Sequence, residues 1–154
     1  MLTYQLATPD QIEEFLRLMR SDASDYLDRT MQLMDMTWPQ FSQLVQTVGQ
    51  IFGVYRDNEL AGFYWIEERG RIVHLHGLVV SRAYQNQGIG TEILTTLANR
   101  YAGVMDAIEL GVHESNTGAR ALYERLGYRT VKHLADLGFY VLQRPLLKME
   151  ATDP

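Results

Sequence analysis

An apolar run, Leu78-Val79-Val80, gives way to a polar loop, Ser81 to Gln87, that passes through Gly88-Ile89-Gly90 into a segment of helical spacing. No other feature constrains the chain as much, because it ties a strand, a glycine turn and a helix start into one short junction. Past the loop, Ile89, Ile93, Leu97 and Tyr101 recur every fourth residue, with Leu94 and Ala98 beside them, which is the apolar stripe of an amphipathic helix. The first turn of a helix leaves backbone N–H groups without partners and carries the positive end of the helix dipole. Glycines at 88 and 90 remove the side chains that would keep an anion away from those groups, so phosphate suits the junction. A ligand-free glycine turn between strand and helix satisfies the same local pattern, and the junction alone does not choose between the two. Spacing does exclude two commoner phosphate loops. A dinucleotide fingerprint would need a small residue where Ile93 stands, and a Walker loop would need lysine and serine or threonine where the chain has Thr91-Glu92.

A second block moves the balance toward a ligand. The run from Asn116 to Tyr128, Asn-Thr-Gly-Ala-Arg-Ala-Leu-Tyr-Glu-Arg-Leu-Gly-Tyr, reads as a helix capped by Ser115 or Asn116, with Ala119, Leu122 and Leu126 on one face and Gly127 as its stop. Together the two blocks resemble the GNAT superfamily of N-acetyltransferases. Its acyl-CoA signature, Gln/Arg-x-x-Gly-x-Gly/Ala, is matched by Gln85, Gly88 and Gly90. Its second signature, Asn-x-x-Ala-x-x-Leu-Tyr-x-x-x-Gly-Phe/Tyr, is matched by Asn116, Ala119, Leu122, Tyr123, Gly127 and Tyr128. The resemblance is densest from Ile51 to Pro145; before that, only the helical pattern fits.

The resemblance implies an α/β fold, a mixed and mostly antiparallel sheet flanked by helices, in which the strand ending near Val80 and the strand ending near Val112 splay apart. It implies acetyl-CoA as co-substrate and a primary amine as acceptor. The pyrophosphate would lie on the backbone of Gln85, Asn86, Gln87, Gly88, Ile89, Gly90 and Thr91, and the pantetheine arm along Leu78, Val79 and Val80, with Asn116 and Ala119 beside it. Arg120 would reach toward a phosphate or lie on the helix surface. Tyr123 would face the sulfur and protonate the departing thiolate, since a phenol of ordinary pKa, about 10, still holds its proton at pH 7; a helix tyrosine that only packs its ring is the plain alternative. A catalytically silent acyl-CoA-binding module would keep the glycine loop without needing a proton donor, and a ligand-free structural domain would leave both blocks unexplained.

A base is harder to place. Family members that use a direct base can carry a glutamate on the strand before the loop, whereas the stretch here, Ile72-Val73-His74-Leu75-His76-Gly77-Leu78, has no carboxylate. His74 and His76 share one side of the strand by alternation, and either could take a proton near neutral pH, directly or through water; a partly buried structural histidine is the alternative for each. Two histidines on one strand lack a third ligand in view, so no metal is expected. Asp22, Asp25, Asp28 and Asp35, interleaved with Tyr26 and Trp38, would border the acceptor in this fold and could recognise an ammonium group, or form a solvated surface.

Periodicity supplies the remaining elements. Leu2 to Leu6 reads as a strand. Thr8-Pro9-Asp10-Gln11 and Thr37-Trp38-Pro39-Gln40 read as two capped helix starts, followed by apolar stripes through Ile12, Phe15, Leu16 and Met19 and through Phe41, Leu44, Val45 and Val48. Ser21 to Met36 is expected to be less regular, holding at most a short helix through Tyr26, Leu27, Met31 and Met34. Three strands, about Ile51 to Tyr55, Ala61 to Glu68 and Ile72 to Val80, form a meander turning at Asp57-Asn58 and Arg69-Gly70. Ala107 to Val112 is a further strand, and Tyr128 to Leu134 with Phe139 to Arg144 a closing hairpin. The 154 residues, 46% hydrophobic, suit a single domain over residues 1–148 with a frayed tail at 149–154. With no cysteine, a disulfide, a covalent thiol intermediate and cysteine-bound zinc are excluded. A net charge of −5 lacks the basic stripe a nucleic acid needs. Without a signal peptide or an apolar run of membrane-spanning length, a cytoplasmic protein with no membrane partner is expected, and a homodimer remains open.

Overall fold

The two threonine-headed starts become helices by satisfying their own orphan donors. A computed structural model describes residues 2–22 and 24–146; the tail at 149–154 lies outside the described residues. At Thr8 the side chain accepts from the Gln11 amide at 3.3 Å, while the Gln11 side chain accepts from the Thr8 amide at 2.9 Å, which opens α1 (Pro9–Asp22). The same reciprocal box at Thr37 and Gln40 opens α3 (Trp38–Thr47). Between them lies α2 (Ser24–Met34), where a short helix through Tyr26, Leu27, Met31 and Met34 was the expectation for a less regular stretch. Its Leu27 is buried against α1 and α3, and that burial supplies what a short isolated helix lacks.

The strand order is β1-β2-β3-β4-β5-β7-β6 in one seven-stranded sheet. The strands are β1 (Leu2–Leu6), β2 (Gln50–Arg56), β3 (Glu59–Arg69), β4 (Ile72–Val80), β5 (Ala107–His113), β6 (Arg129–Leu134) and β7 (Phe139–Pro145), with α4 (Ile89–Tyr101) and α5 (Thr117–Arg125) following β4 and β5. The chain divides into two compact units, Met1–Glu67 with His76–Gly90, and Glu68–Leu75 with Thr91–Pro154.

In the first unit β1, β2 and β3 run antiparallel in sequence. Asp57 and Asn58 both hold left-handed backbone, φ 52 and 69, as the two-residue turn between β2 and β3 requires. The core joins Phe15, Leu16 and Met19 of α1 to Phe41 and Val45 of α3 and to Ile51, Phe63, Trp65 and Val79 of the strands. Phe15 meets Phe63 at 5.4 Å between ring centroids and Phe41 meets Trp65 edge-on at 6.0 Å. The Trp65 indole N–H donates to the Val48 carbonyl at 2.7 Å, tying the end of α3 to β3.

In the second unit β4 and β5 are parallel. Among the described residues their register comprises three pairs, from Ile72↔Ala107 to His74↔Glu109, although β4 is nine residues long. β5 is antiparallel to β7 along its whole length, and β7 to β6. Gly70, φ 57, and Arg71 make the turn into β4, one residue later than the spacing suggests. α4 buries Ile93, Leu94, Leu97 and Ala98, as its stripe predicts.

Candidate active site

The glycine loop is built from both ends. A short 3-10 turn, Arg82–Tyr84, follows β4, and the Gln85 side-chain amide reaches back to the Val80 carbonyl at 2.9 Å. Gln85 therefore closes the loop on its own strand. Asn86 and Gly88 are left-handed, φ 62 and 77. Gln87 donates to the Ala83 carbonyl at 3.1 Å and accepts from the Arg56 guanidinium, which brings a cation to the loop from the end of β2. Composition and spacing carried no signal for Arg56, because only the β2 register delivers it there. Ile89 is buried and anchors the start of α4, whereas Gly88 and Gly90 face open space: a Cβ built on either would meet nothing within 4 Å. Room of that kind above a helix start fits a phosphate, and nothing inside the protein demands glycine at 90. Thr91 follows in the first turn of α4, half-buried.

On β4, Leu78 and Val80 are partly buried and Val79 buried. Downstream, Asn116 rather than Ser115 caps α5, its side chain accepting from the Ala119 amide at 3.2 Å. Tyr123 is half-buried on α5, and its ring meets Tyr128 at 5.6 Å. Its carbonyl accepts from the amides of Leu126 and Tyr128, so the end of the helix is pinned around it, with Gly127 at φ 95 turning the chain out. Arg120 lies over the Tyr140 ring at 3.8 Å, donates to Thr130 at 3.3 Å and stands 3.2 Å from Glu124; its charge is engaged within its own unit.

Tyr128 is 2% exposed, and its hydroxyl has no hydrogen-bond partner among the described residues. Burial raises the phenol well above its ordinary pKa, against a smaller opposing pull from Arg144. A buried hydroxyl left unpaired is a standing cost, so Tyr128→Phe is expected to raise the unfolding free energy by about 1 kcal/mol in urea denaturation. A loss of similar size would show that the hydroxyl is satisfied in solution.

The two β4 histidines each have a carboxylate, supplied from a neighbouring strand. His76 Nε2 lies 2.7 Å from Glu67 of β3, with its ring 4.8 Å from Trp65. His74 Nδ1 lies 3.1 Å from Glu109 of β5. Neither Glu67 nor Glu109 lies on β4, and only the pairing of neighbouring strands brings them to its histidines. Of the acidic segment, Asp28 and Asp35 line a shallow hollow with Met31, Gln32 and Met36. Trp38 is covered by the Arg20 guanidinium at 4.3 Å, while the side chains of Asp22, Asp25 and Tyr26 lie outside the described residues.

The sequence profile of the acetyltransferase (GNAT) family matches residues 11–128. An uncharacterized N-acetyltransferase of Methanocaldococcus jannaschii is 37% identical over 86 residues, 47% of this chain and 55% of that protein, so the chain spans about half the length of the curated relative it matches. Among solved structures, the ribosomal-protein-S18-alanine N-acetyltransferase of Escherichia coli superposes with a TM-score of 0.73 at 20% identity, covering 100% of this chain and 99% of that one. An acetyltransferase of Thermus thermophilus reaches 0.74 at 19% identity, over 95% and 97%. A GNAT-family acetyltransferase of Elizabethkingia anophelis with acetyl-CoA bound reaches 0.67 at 19% identity, over 94% and 98%. At these identities the structural likenesses establish the fold alone.

Proposed function

The chain belongs to the acetyltransferase (GNAT) family, and on that premise we propose that it moves the acetyl group of acetyl-CoA to a primary amine by direct attack in a ternary complex. The observation that carries this reading is Gly90. A glycine inside a helix costs about 1 kcal/mol against alanine, and at this position neither space nor backbone conformation asks for one. The benefit is therefore external: close approach of a pyrophosphate to the amides of Gln85 to Thr91, with Arg56 adding positive charge at the loop. Leu78, Val79 and Val80 offer main-chain groups to the pantetheine arm.

The chemistry needs a neutral amine and a proton for the leaving sulfur. The acceptor ammonium gives one proton to His74 or His76, and its nitrogen then attacks the thioester carbonyl. As the carbon–sulfur bond breaks, the thiolate takes the Tyr123 proton, and the surplus proton on nitrogen restores the phenol. The histidine releases its proton to solvent, so the products are an amide, free CoA and one proton. Each of the two histidines has a carboxylate within hydrogen-bonding distance, Glu109 for His74 and Glu67 for His76.

Gly90→Val is expected to leave the unfolding midpoint within about 2 °C, since a side chain there meets only open space. The same change is expected to weaken acetyl-CoA binding by at least about tenfold in calorimetry. Undiminished affinity would move the phosphate elsewhere. The acceptor is tested by CoA release against polyamines, amino acids, aminoglycosides, free peptide N-termini and lysine peptides. One fold neighbour is named for acetylating a ribosomal protein's alanine, so peptides beginning with alanine belong in the panel. Acetyl-CoA binding with no turnover across it would favour a silent binding module instead.

A further inference from the structure

Three side chains stand in one row across the second unit. His74 of β4 is opposite Glu109 of β5, and Glu109 is opposite Gln143 of β7. Residues directly opposite one another project to the same side of a sheet, so the three side chains meet in line. His74 Nδ1 is 3.1 Å from one Glu109 oxygen, and the Gln143 amide donates to the other at 2.6 Å. The His74 and Glu109 side chains are only 19% and 24% exposed. With both oxygens held from opposite sides, the carboxylate plane has little freedom, and the imidazole that leans on it inherits that restriction. Gln143 does not titrate, so it orients Glu109 without competing for a proton.

The two histidines differ in which nitrogen the carboxylate takes. On His76 it is Nε2, the nitrogen farther from the backbone; on His74 it is Nδ1, the nearer one. A carboxylate at Nδ1 selects the tautomer with the proton there and puts the lone pair on Nε2, at the outer end of the ring. We propose that Glu109, clamped by Gln143, is a positioning residue that presents His74, rather than His76, as the acceptor of the amine's proton. This rests on the reading of the chain as an amine acetyltransferase. The proton passes from the acceptor nitrogen to His74 Nε2, and Glu109 remains a carboxylate throughout.

Two measurements test it. Nitrogen-15 NMR of the neutral His74 ring is expected to show the Nδ1–H tautomer in the wild-type protein and a shift toward Nε2–H in Glu109→Gln; a wild-type ring already in the Nε2–H form overturns the proposal. That measurement needs no substrate, so it separates a failure here from a failure of the acetyltransferase reading. In kinetics with the amine found by the panel, Glu109→Gln is expected to lower kcat by about ten- to a hundredfold with KM for acetyl-CoA within about twofold. Gln143→Met is expected to lower it in the same direction. In a His74→Ala background neither change should cost anything more, since both act through the ring. Losses that multiply in the double variants, or a wild-type kcat in Glu109→Gln or His74→Ala, would overturn it.

Discussion

Tyr123→Phe is expected to slow acetyl transfer by about ten- to a thousandfold while acetyl-CoA affinity stays nearly unchanged. The substitution removes one hydroxyl and keeps the ring, so the contact with Tyr128 at 5.6 Å and the helix end pinned on the Tyr123 carbonyl both persist. What is lost is a proton the thiolate needs only as the carbon–sulfur bond breaks, and an interaction made only in the transition state appears in kcat and kcat/KM alike. Steady-state kinetics alongside calorimetric binding of acetyl-CoA separate the two effects. Equal rates in the two proteins would reduce Tyr123 to packing, and a parallel fall in affinity would make it a binding residue.

The largest stability effect is expected at Gly49, just past the end of α3. Its backbone is left-handed, φ 69, and a Cβ built there would sit 2.2 Å from the Ile66 carbonyl oxygen. The obstacle is β3 backbone, which cannot rotate away as a side chain would. Gly49→Ala therefore adds an overpacking cost to a conformational one, about 3 kcal/mol or more in all. Gly70 separates the two contributions, because its φ is 57 and a Cβ there meets nothing within 4 Å. Gly70→Ala should lose only about 1 kcal/mol in urea denaturation. Similar losses at both positions would mean that the approach of Gly49 to β3 is looser than the geometry requires.

Much of this protein is settled by residues a few positions apart, and that part is legible without a structure. Thr8 with Gln11 and Thr37 with Gln40 satisfy one another's amides, so their helix starts follow from spacing alone. Asp57-Asn58 adopts the left-handed pair that a two-residue hairpin demands, and Gly88 and Gly90 mark the loop where β4 becomes α4. Contact between distant segments is another matter. The stretch from Ser21 to Met36 carries only a weak helical pattern as a string, through Tyr26, Leu27, Met31 and Met34, and it is the core shared with α1 and α3 that buries Leu27 of α2. The stretch Ile72 to Leu78 holds no carboxylate, yet both of its histidines have one. Glu109 stands 35 positions beyond His74, and Gln143 another 34 beyond Glu109. Their meeting depends on strand register, which turns and buried faces set across the whole sheet, and a slip of one residue would send each side chain to the other face. Local spacing determined the caps, the turns and the loop. The tertiary structure alone decided which carboxylate each histidine would meet, because register is a property of paired strands and is not written in either one.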